Sequence, residues 1–262
     1  MSAPYSFCSA DVSVVVPVKD NQSGVNRLLA AFSRFDEADL PAEVVLVDNG
    51  SAVPLTITGA SNTHLRVRLL SCSVPGPAAA RNTGAGNASG NWVLFMDSDC
   101  IPTKSTVTGY AAAVNGAVAY AGDVRALGRD RLSGYYDSQR TLVPPPIGDR
   151  PAYLVTANTL VWREAFKAIR GFDERFPFPG GEDIDFALRL RELGDLSFAP
   201  NSIVLHDFDD GLTGFVRRFV RYGMGNRIIE NLHPGTRMAP RAFTPERRTL
   251  FNQVAARAQF WL

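Results

Sequence analysis

Asn91-Trp-Val-Leu-Phe-Met-Asp-Ser-Asp-Cys100 is the stretch from which the fold is read. Five apolar residues, Trp92 to Met96, run directly into two carboxylates separated by one residue. An unbroken run of that length reads as a strand buried on both faces, in the middle of a sheet covered by helices. Carboxylates are costly to bury unless paired or bound to a metal, so Asp97 and Asp99 are expected where the strand meets the surface. In open α/β sheets that carboxyl edge is where ligands bind. Two acidic oxygen ligands there suit a hard divalent cation, Mg²⁺ or Mn²⁺, itself bound to phosphate oxygens. Taken alone, Asp-Ser-Asp reads more readily as a turn closed by an Asx hydrogen bond ahead of Pro102. The flanking sequence decides between the two.

Upstream, Val12-Ser-Val-Val-Val16, stopped by Pro17, reads as a first buried strand. Val25, Leu28, Leu29 and Phe32 follow at helical spacing. Glu43 to Val47 is a second strand ending in the turn sequence Asp48-Asn-Gly-Ser51, and Leu65 to Leu70 alternates as a half-exposed strand. Pro75-Gly-Pro77 opens an alanine-rich helix, Ala78 to Ala88. Gly84 and Gly86 weaken that helix, and glycines in such places often mark close packing or ligand approach. The rhythm is β-α-β-(loop)-β-α-β, that of a parallel α/β sheet. Its strand ends at Pro17 to Asn21, Asp48 to Ser51 and Asp97 to Asp99 all carry polar chemistry.

Downstream the pattern is less regular. Pro102 to Asn115 reads as a helix, Ala117 to Ala121 as a short strand, and Gly122 to Arg150 as a long loop. Tyr153 to Val161 is strand-like around Thr156-Ala-Asn158-Thr159, and Arg163 to Arg170 is a short helix closed by Gly171. Phe178-Pro-Gly-Gly-Glu-Asp-Ile-Asp185 leads into a helix reaching about Leu193, with a broad apolar face. Glu182, Asp183 and Asp185 complement the helix dipole there, but that does not explain three carboxylates behind two glycines. Leu196 to Ala199 and Ser202 to Leu205 read as two short strands, the second ending in His206, a residue type that serves as a metal ligand when neutral. Gly214 to Glu230 is an amphipathic helix with Arg217, Arg218, Arg221 and Arg227. Its arginines read either as a solvated face or as a group in which Arg217 and Arg221 hold a diphosphate. Thr244 to Leu262 reads as a candidate helix.

A chain of 262 residues with 45% hydrophobic and 20% charged content is that of a globular protein with a sizeable core. A net charge of +1 gives no reason to expect nucleic acid as a partner. Cys8, Cys72 and Cys100 form no disulfide or metal-binding spacing. The first ten residues lack the pattern of a signal peptide, and no apolar stretch approaches the roughly 18–20 residues of a membrane span. The expectation is a soluble cytoplasmic protein.

Together these stretches resemble the family 2 glycosyltransferases of the GT-A fold. The features that carry the resemblance are Val-Ser-Val-Val-Val-Pro17, Val-Asp48-Asn-Gly-Ser51, Ala-Arg81-Asn-Thr-Gly84, Met-Asp97-Ser-Asp99-Cys100, Gly-Gly-Glu182-Asp183-Ile-Asp185 and His206, in the family's order. The resemblance implies a mostly parallel central sheet flanked by helices, with a smaller acceptor-side subregion. It implies a nucleotide-sugar donor, with a UDP-sugar favoured, a divalent metal (Mn²⁺ or Mg²⁺), and single-displacement transfer to an acceptor hydroxyl with inversion. The acceptor class, whether small molecule, glycan or lipid-linked, stays open, as does the oligomeric state. Carried onto this chain, Pro17, Asp48, Arg81 and Asp97 would line the nucleotide site, and Asp99 and His206 would hold the metal. Asp183 would act as general base, with Glu182 second, while Asn158 and Gly181 would lie against substrate. Residues 1–262 then read as one domain, with a donor-binding half over 1–121, an acceptor and base half over 122–235, and an extension over 236–262. The chain departs from the family at Asp20, where relatives often carry an aromatic, and at Asn49, where a second Asp is common. A sugar-nucleotide nucleotidyltransferase and a catalytically silent nucleotide-sugar-binding module are the competing functions.

Overall fold

The computed structural model describes residues 6–57, 64–176, 178–208 and 211–236. The candidate helix Thr244 to Leu262, and nearly all of the proposed 236–262 extension, lie outside the described residues. In order the elements are β1 (Val12–Val18), α1 (Gln22–Phe32), β2 (Glu43–Asp48), β3 (Val67–Ser71), α2 (Pro77–Gly86), β4 (Trp92–Phe95), β5 (Cys100–Pro102), α3 (Ser105–Thr108), β6 (Ala119–Ala126) and α4 (Arg131–Gln139). There follow β7 (Pro146–Ile147), β8 (Arg150–Pro151), β9 (Thr159–Trp162), α5 (Arg163–Ala168), α6 (Glu182–Arg191), β10 (Leu196–His206) and α7 (Gly211–Leu232).

Eight strands form one sheet in the order β3-β2-β1-β4-β9-β6-β10-β5. The pairs β2/β3, β1/β2, β1/β4 and β6/β10 are parallel. The pairs β4/β9, β6/β9 and β5/β10 are antiparallel. Of the parallel strands, β1, β2 and β4 are near-continuous apolar runs, as burial on both faces requires, whereas β3 at the sheet edge is half-exposed. Val12, Val14 and Val16 pack with Val25, Leu28 and Phe32 of α1 on one face. Val15, Val47 and Phe95 pack on the other with the alanines of α2 and with Phe186 of α6. Gly84 accounts for one of the two helix glycines: a Cβ there would lie 2.4 Å from Val15 Cγ1. Gly86 has nothing within 4 Å of that position and no such reason.

Several local expectations are corrected. Gly122 to Arg150 is not one long loop, because it holds the second half of β6, all of α4 and the β7–β8 hairpin. The polar residues of β6 hid the strand. Asp123, nearly buried, is held by Arg125 at 2.8 Å and Arg140 at 3.2 Å, so its charge is balanced within the fold. The two strands expected around Pro200-Asn201 are one strand, β10, whose register against β6 shifts between Ala199 and Ile203. The proline and asparagine occupy that irregularity, one of the places a sheet tolerates a residue without an N–H donor. Only Ser105–Thr108 of the expected Pro102 to Asn115 helix is α-helical, and β9 begins at Thr159 rather than Tyr153.

Candidate active site

The carboxyl ends of β1, β2 and β4 are tied to one another by side-chain amides. Asn21 caps α1 by accepting the Gly24 N–H at 2.9 Å, and donates to Ser98 O and Oγ at 3.2 and 3.0 Å. This fastens the loop after β1 to the Asp-Ser-Asp turn. Asn49 donates to Cys72 O at 3.2 Å and Val74 O at 2.7 Å, and its Oδ1 accepts from Gly76 N at 2.8 Å. A carboxylate cannot donate, so the asparagine at this position has a structural reason. Asp48, half-buried at the end of β2, accepts from Ser51 N at 2.9 Å and Leu55 N at 3.3 Å. Burial opposes its charge, yet the bonds from Ser51 and Leu55 hold its carboxyl below the usual range. Pro17 lies on β1 opposite Val47 and is half-buried.

Behind this edge lies a buried ion network. Arg81, 3% exposed, donates to Asp97 Oδ1 at 2.8 Å and to Glu182 Oε1 at 2.9 Å, and sits 5.7 Å from the Phe172 ring centroid. Burial alone would weaken the guanidinium's charge, but the two carboxylates more than offset it. Glu182 Oε2 accepts from Gly180 N at 2.6 Å, so both of its oxygens are engaged. Asp185 is likewise committed, to His233 Nε2 at 2.8 Å and to Arg189 at 2.7 Å. Asp183 differs from its two neighbours. It is half-buried and accepts from Ile184 N at 2.9 Å. Its pKa is pushed up to about 8, first by burial and then by the charge of Glu182, with Asp97 adding and Arg81 opposing.

Asp99 and His206 meet on the other side of the β4–β5 turn. His206, 2% exposed, stacks on Phe208 with centroids 4.3 Å apart and places Nε2 3.3 Å from Asp99 Oδ1. No hydrogen bond is formed across that distance, and both Asp99 Oδ1 and His206 Nδ1 are buried without hydrogen-bond partners. Burial raises the Asp99 pKa and Asp97 adds to the rise, while His206 and Arg218 oppose it. A buried carboxylate oxygen without a hydrogen bond, facing an imidazole nitrogen at 3.3 Å, fits a bound divalent cation. Asp97 is not in the same position, because Arg81 already neutralises it.

Helix α7 crosses this region. A Cβ on Gly225 would fall 2.2 Å from Gly180 O, so α7 lies directly against the glycine pair that precedes α6. Gly180 and Gly181 hold φ of 141° and 95°, a backbone that side-chain-bearing residues rarely adopt. Of the arginines, Arg217 is exposed and turned away, and Arg221 is half-buried. Arg218, not singled out from the sequence, is the one facing inward: it is 8% exposed and lies over the rings of Tyr136 at 5.5 Å and Phe208 at 5.3 Å. Its spacing with Phe215 and Tyr222 is the signal that would have placed it on the inward face.

Asn158 does not line an open reaction centre. It is 1% exposed, donates to Asp123 O and Ser202 O at 3.1 Å, and accepts from Tyr110 Oη at 2.8 Å. Its amide satisfies the backbone where β10 breaks register, which is a structural task.

The family described as Glycosyl transferase family 2 matches residues 13–170, more than half of the chain, and a second, described as the N-terminal domain of galactosyltransferase, matches residues 150–204. Among curated relatives, a pre-mycofactocin glycosyltransferase of Mycobacterium tuberculosis is 29% identical over 238 residues, covering 86% of this chain and 48% of that protein. The chain thus spans about half the length of that relative. The mannosyltransferase PcManGT of Pyrobaculum calidifontis, solved with GDP-Man and Mn²⁺, superposes with a TM-score of 0.58 at 18% identity, over 98% of this chain and 76% of that one. TarS of S. aureus, residues 1–349 with UDP-GlcNAc, gives 0.58 at 16% identity, over 94% and 79%. At those identities the structural likeness is one of fold, and that fold is GT-A. With the match over residues 13–170, the chain belongs to glycosyl transferase family 2.

Proposed function

We propose that this protein transfers one sugar from a nucleoside diphosphate sugar, UDP-linked by preference, to an acceptor hydroxyl, with inversion and in a single displacement. The observation that carries this reading is the contrast among the three acids opening α6. Glu182 and Asp185 are committed to ion pairs, whereas Asp183 keeps a proton affinity near neutrality, about 8. A general base works best with a pKa close to the operating pH.

In this mechanism Asp183 accepts the proton of the acceptor hydroxyl as that oxygen attacks the anomeric carbon. The nucleoside diphosphate leaves from the opposite face of the sugar, so one base and no covalent intermediate are required. Glu182 is no base, because Arg81 and Gly180 occupy both its oxygens. Its role is to place the start of α6 and raise the proton affinity of Asp183. Pro17 and Asp48 line the nucleoside end, and Asp97 stands between nucleoside and diphosphate with Arg81 behind it. Asp99 and His206 would hold Mn²⁺ or Mg²⁺, which when bound offsets the charge that develops on the leaving diphosphate. Arg218 replaces Arg217 as the diphosphate-side arginine, with Arg221 beside it. Gly181, whose Cβ position lies 3.0 Å from Gly225 O, lets the turn before the base seat closely against α7. The relatives' donors, UDP-GlcNAc for TarS and GDP-Man for the mannosyltransferase, support a nucleotide sugar here. The acceptor carries a hydroxyl and is a small molecule, a glycan or a lipid-linked sugar. Among the described residues no helix is long and apolar enough to cross a membrane.

The test is calorimetry with UDP and GDP in Mn²⁺, Mg²⁺ and chelator, followed by release of UDP from a panel of UDP-sugars. Tight UDP binding that collapses with chelator is expected, as is donor turnover that Asp183→Asn removes without loss of UDP binding. Absence of nucleotide binding under every metal condition would remove the donor-site assignment.

A further inference from the structure

Antiparallel pairing of β5 with β10 sets Cys100 directly opposite His206. Residues so placed share a face, with Cβ atoms about 4.5–5.5 Å apart. Asp99 precedes Cys100, and one ligand atom from each of Asp99, Cys100 and His206 lies within 4.8 Å of the other two. Bonds of about 2.0 Å to nitrogen or oxygen and about 2.3 Å to sulfur put tetrahedral ligand atoms roughly 3.3–3.8 Å apart, so modest closure of this cluster suffices. Asp99 Oδ1 and His206 Nδ1 are buried without hydrogen bonds. The Cys100 thiol makes a weak 3.7 Å bond to Ala157 O. The other cysteines stand apart, Cys8 exposed and Cys72 bonded to Val74 O.

A site meant only for Mg²⁺ or Mn²⁺ has little use for a thiol, since those ions prefer oxygen, whereas a thiolate with imidazole and carboxylate is zinc chemistry. We propose that Asp99, Cys100 and His206 form a three-ligand site for a thiophilic divalent cation such as zinc, its fourth position open to water or a phosphate oxygen. This rests on the reading of Asp99 and His206 as the metal pair and adds a sulfur ligand to it. On binding, the S–H bond of Cys100 breaks, the sulfur keeps the electron pair and donates it to the cation, and the proton passes to solvent. No electron changes hands. The sulfur makes the site competent for zinc without nucleotide, whereas a harder cation held by one carboxylate and one imidazole depends on the donor's phosphate oxygens.

Cobalt reports the sulfur directly, because thiolate ligation gives a sulfur-to-cobalt charge-transfer band in the near ultraviolet. The nucleotide-free protein is titrated with Co²⁺, then with Zn²⁺ in competition. The band is expected to appear, to be displaced by zinc, to survive Cys72→Ser, and to vanish in Cys100→Ser, with zinc affinity falling roughly tenfold or more. Calorimetry of wild-type protein with Zn²⁺ in buffers of different ionisation enthalpy reads the released proton and needs no variant to fold. A Co²⁺ complex without the band, a band unchanged by Cys100→Ser, or zinc binding with no proton release would overturn the proposal. UDP binding with Mn²⁺, measured on the same wild-type protein, separates the two readings. UDP binding without the band removes only the sulfur ligand, and the band without UDP binding removes the donor site while the cation site stands.

Discussion

Replacing Asp183 by asparagine tests the base through stability and turnover at once. In the unfolded chain this carboxyl ionises near the ordinary 3.8, and in the folded protein it keeps its proton up to about 8. Between those values the folded state binds more protons than the unfolded state, so the stability of the parent falls as pH rises across that window and is level on either side. At about 1.4 kcal/mol per pH unit the window sets a ceiling of roughly 6 kcal/mol. Asp183 is half-buried, so solvent screening brings the expected penalty to roughly 2–3 kcal/mol. Asparagine keeps the shape and carries no charge. Urea unfolding should therefore find Asp183→Asn more stable than the parent at about pH 9, with a much smaller advantage at about pH 5. The groups whose charges set the effect are Glu182, Arg81 and Asp97, with Tyr222 of α7 also facing the carboxyl. In the same variant transfer should fall roughly 10²–10⁴-fold with UDP affinity retained. A stability difference that does not grow between the two pH values would refute the raised proton affinity. Turnover close to the parent's would refute Asp183 as base.

Arg81→Met should cost about 3–5 kcal/mol in denaturant unfolding, because it strands Glu182 in the interior, and adding Glu182→Gln should recover part of that loss. Gly84→Ala should destabilise by roughly 1–3 kcal/mol through collision with Val15, whereas Gly86→Ala, facing open space, should stabilise by up to about 1 kcal/mol; thermal melting of the pair separates packing from helix propensity. Asp99→Ala and His206→Ala should each abolish metal-dependent UDP binding in calorimetry while leaving the far-ultraviolet spectrum of the protein unchanged. Asn158→Asp should lower stability by about 1–3 kcal/mol, since a carboxylate cannot donate to Asp123 O and Ser202 O.

The first half of the fold was legible because its signals are local. Each of Pro17, Asp48 and Asp97 to Asp99 follows directly on an unbroken apolar run, so strand and strand end are read in one window. The later half was harder wherever polar residues entered the sheet. Asp123 and Arg125 made β6 look like a loop, and only the arrival of Arg140 from the end of α4 explains how the strand keeps a carboxylate inside. Asn158 makes the related point that a buried amide serving a break in strand register looks, in sequence, like a ligand-binding amide. Arg217 and Arg218 are adjacent, so one residue of helical phase, about 100°, decided between solvent and site.

The connection that sequence could not reveal is the one from Asp97 through Arg81 to Glu182, whose partners are 16 and 101 residues apart. One guanidinium serves two carboxylates, so the charges of Asp97 and Glu182 draw on the same cation. A cation or diphosphate that engages Asp97 changes the share of Arg81 left to Glu182. The field of Glu182 at Asp183 changes with it. The proton affinity of Asp183 is therefore set partly by what engages Asp97, over a path of two hydrogen bonds and one peptide unit.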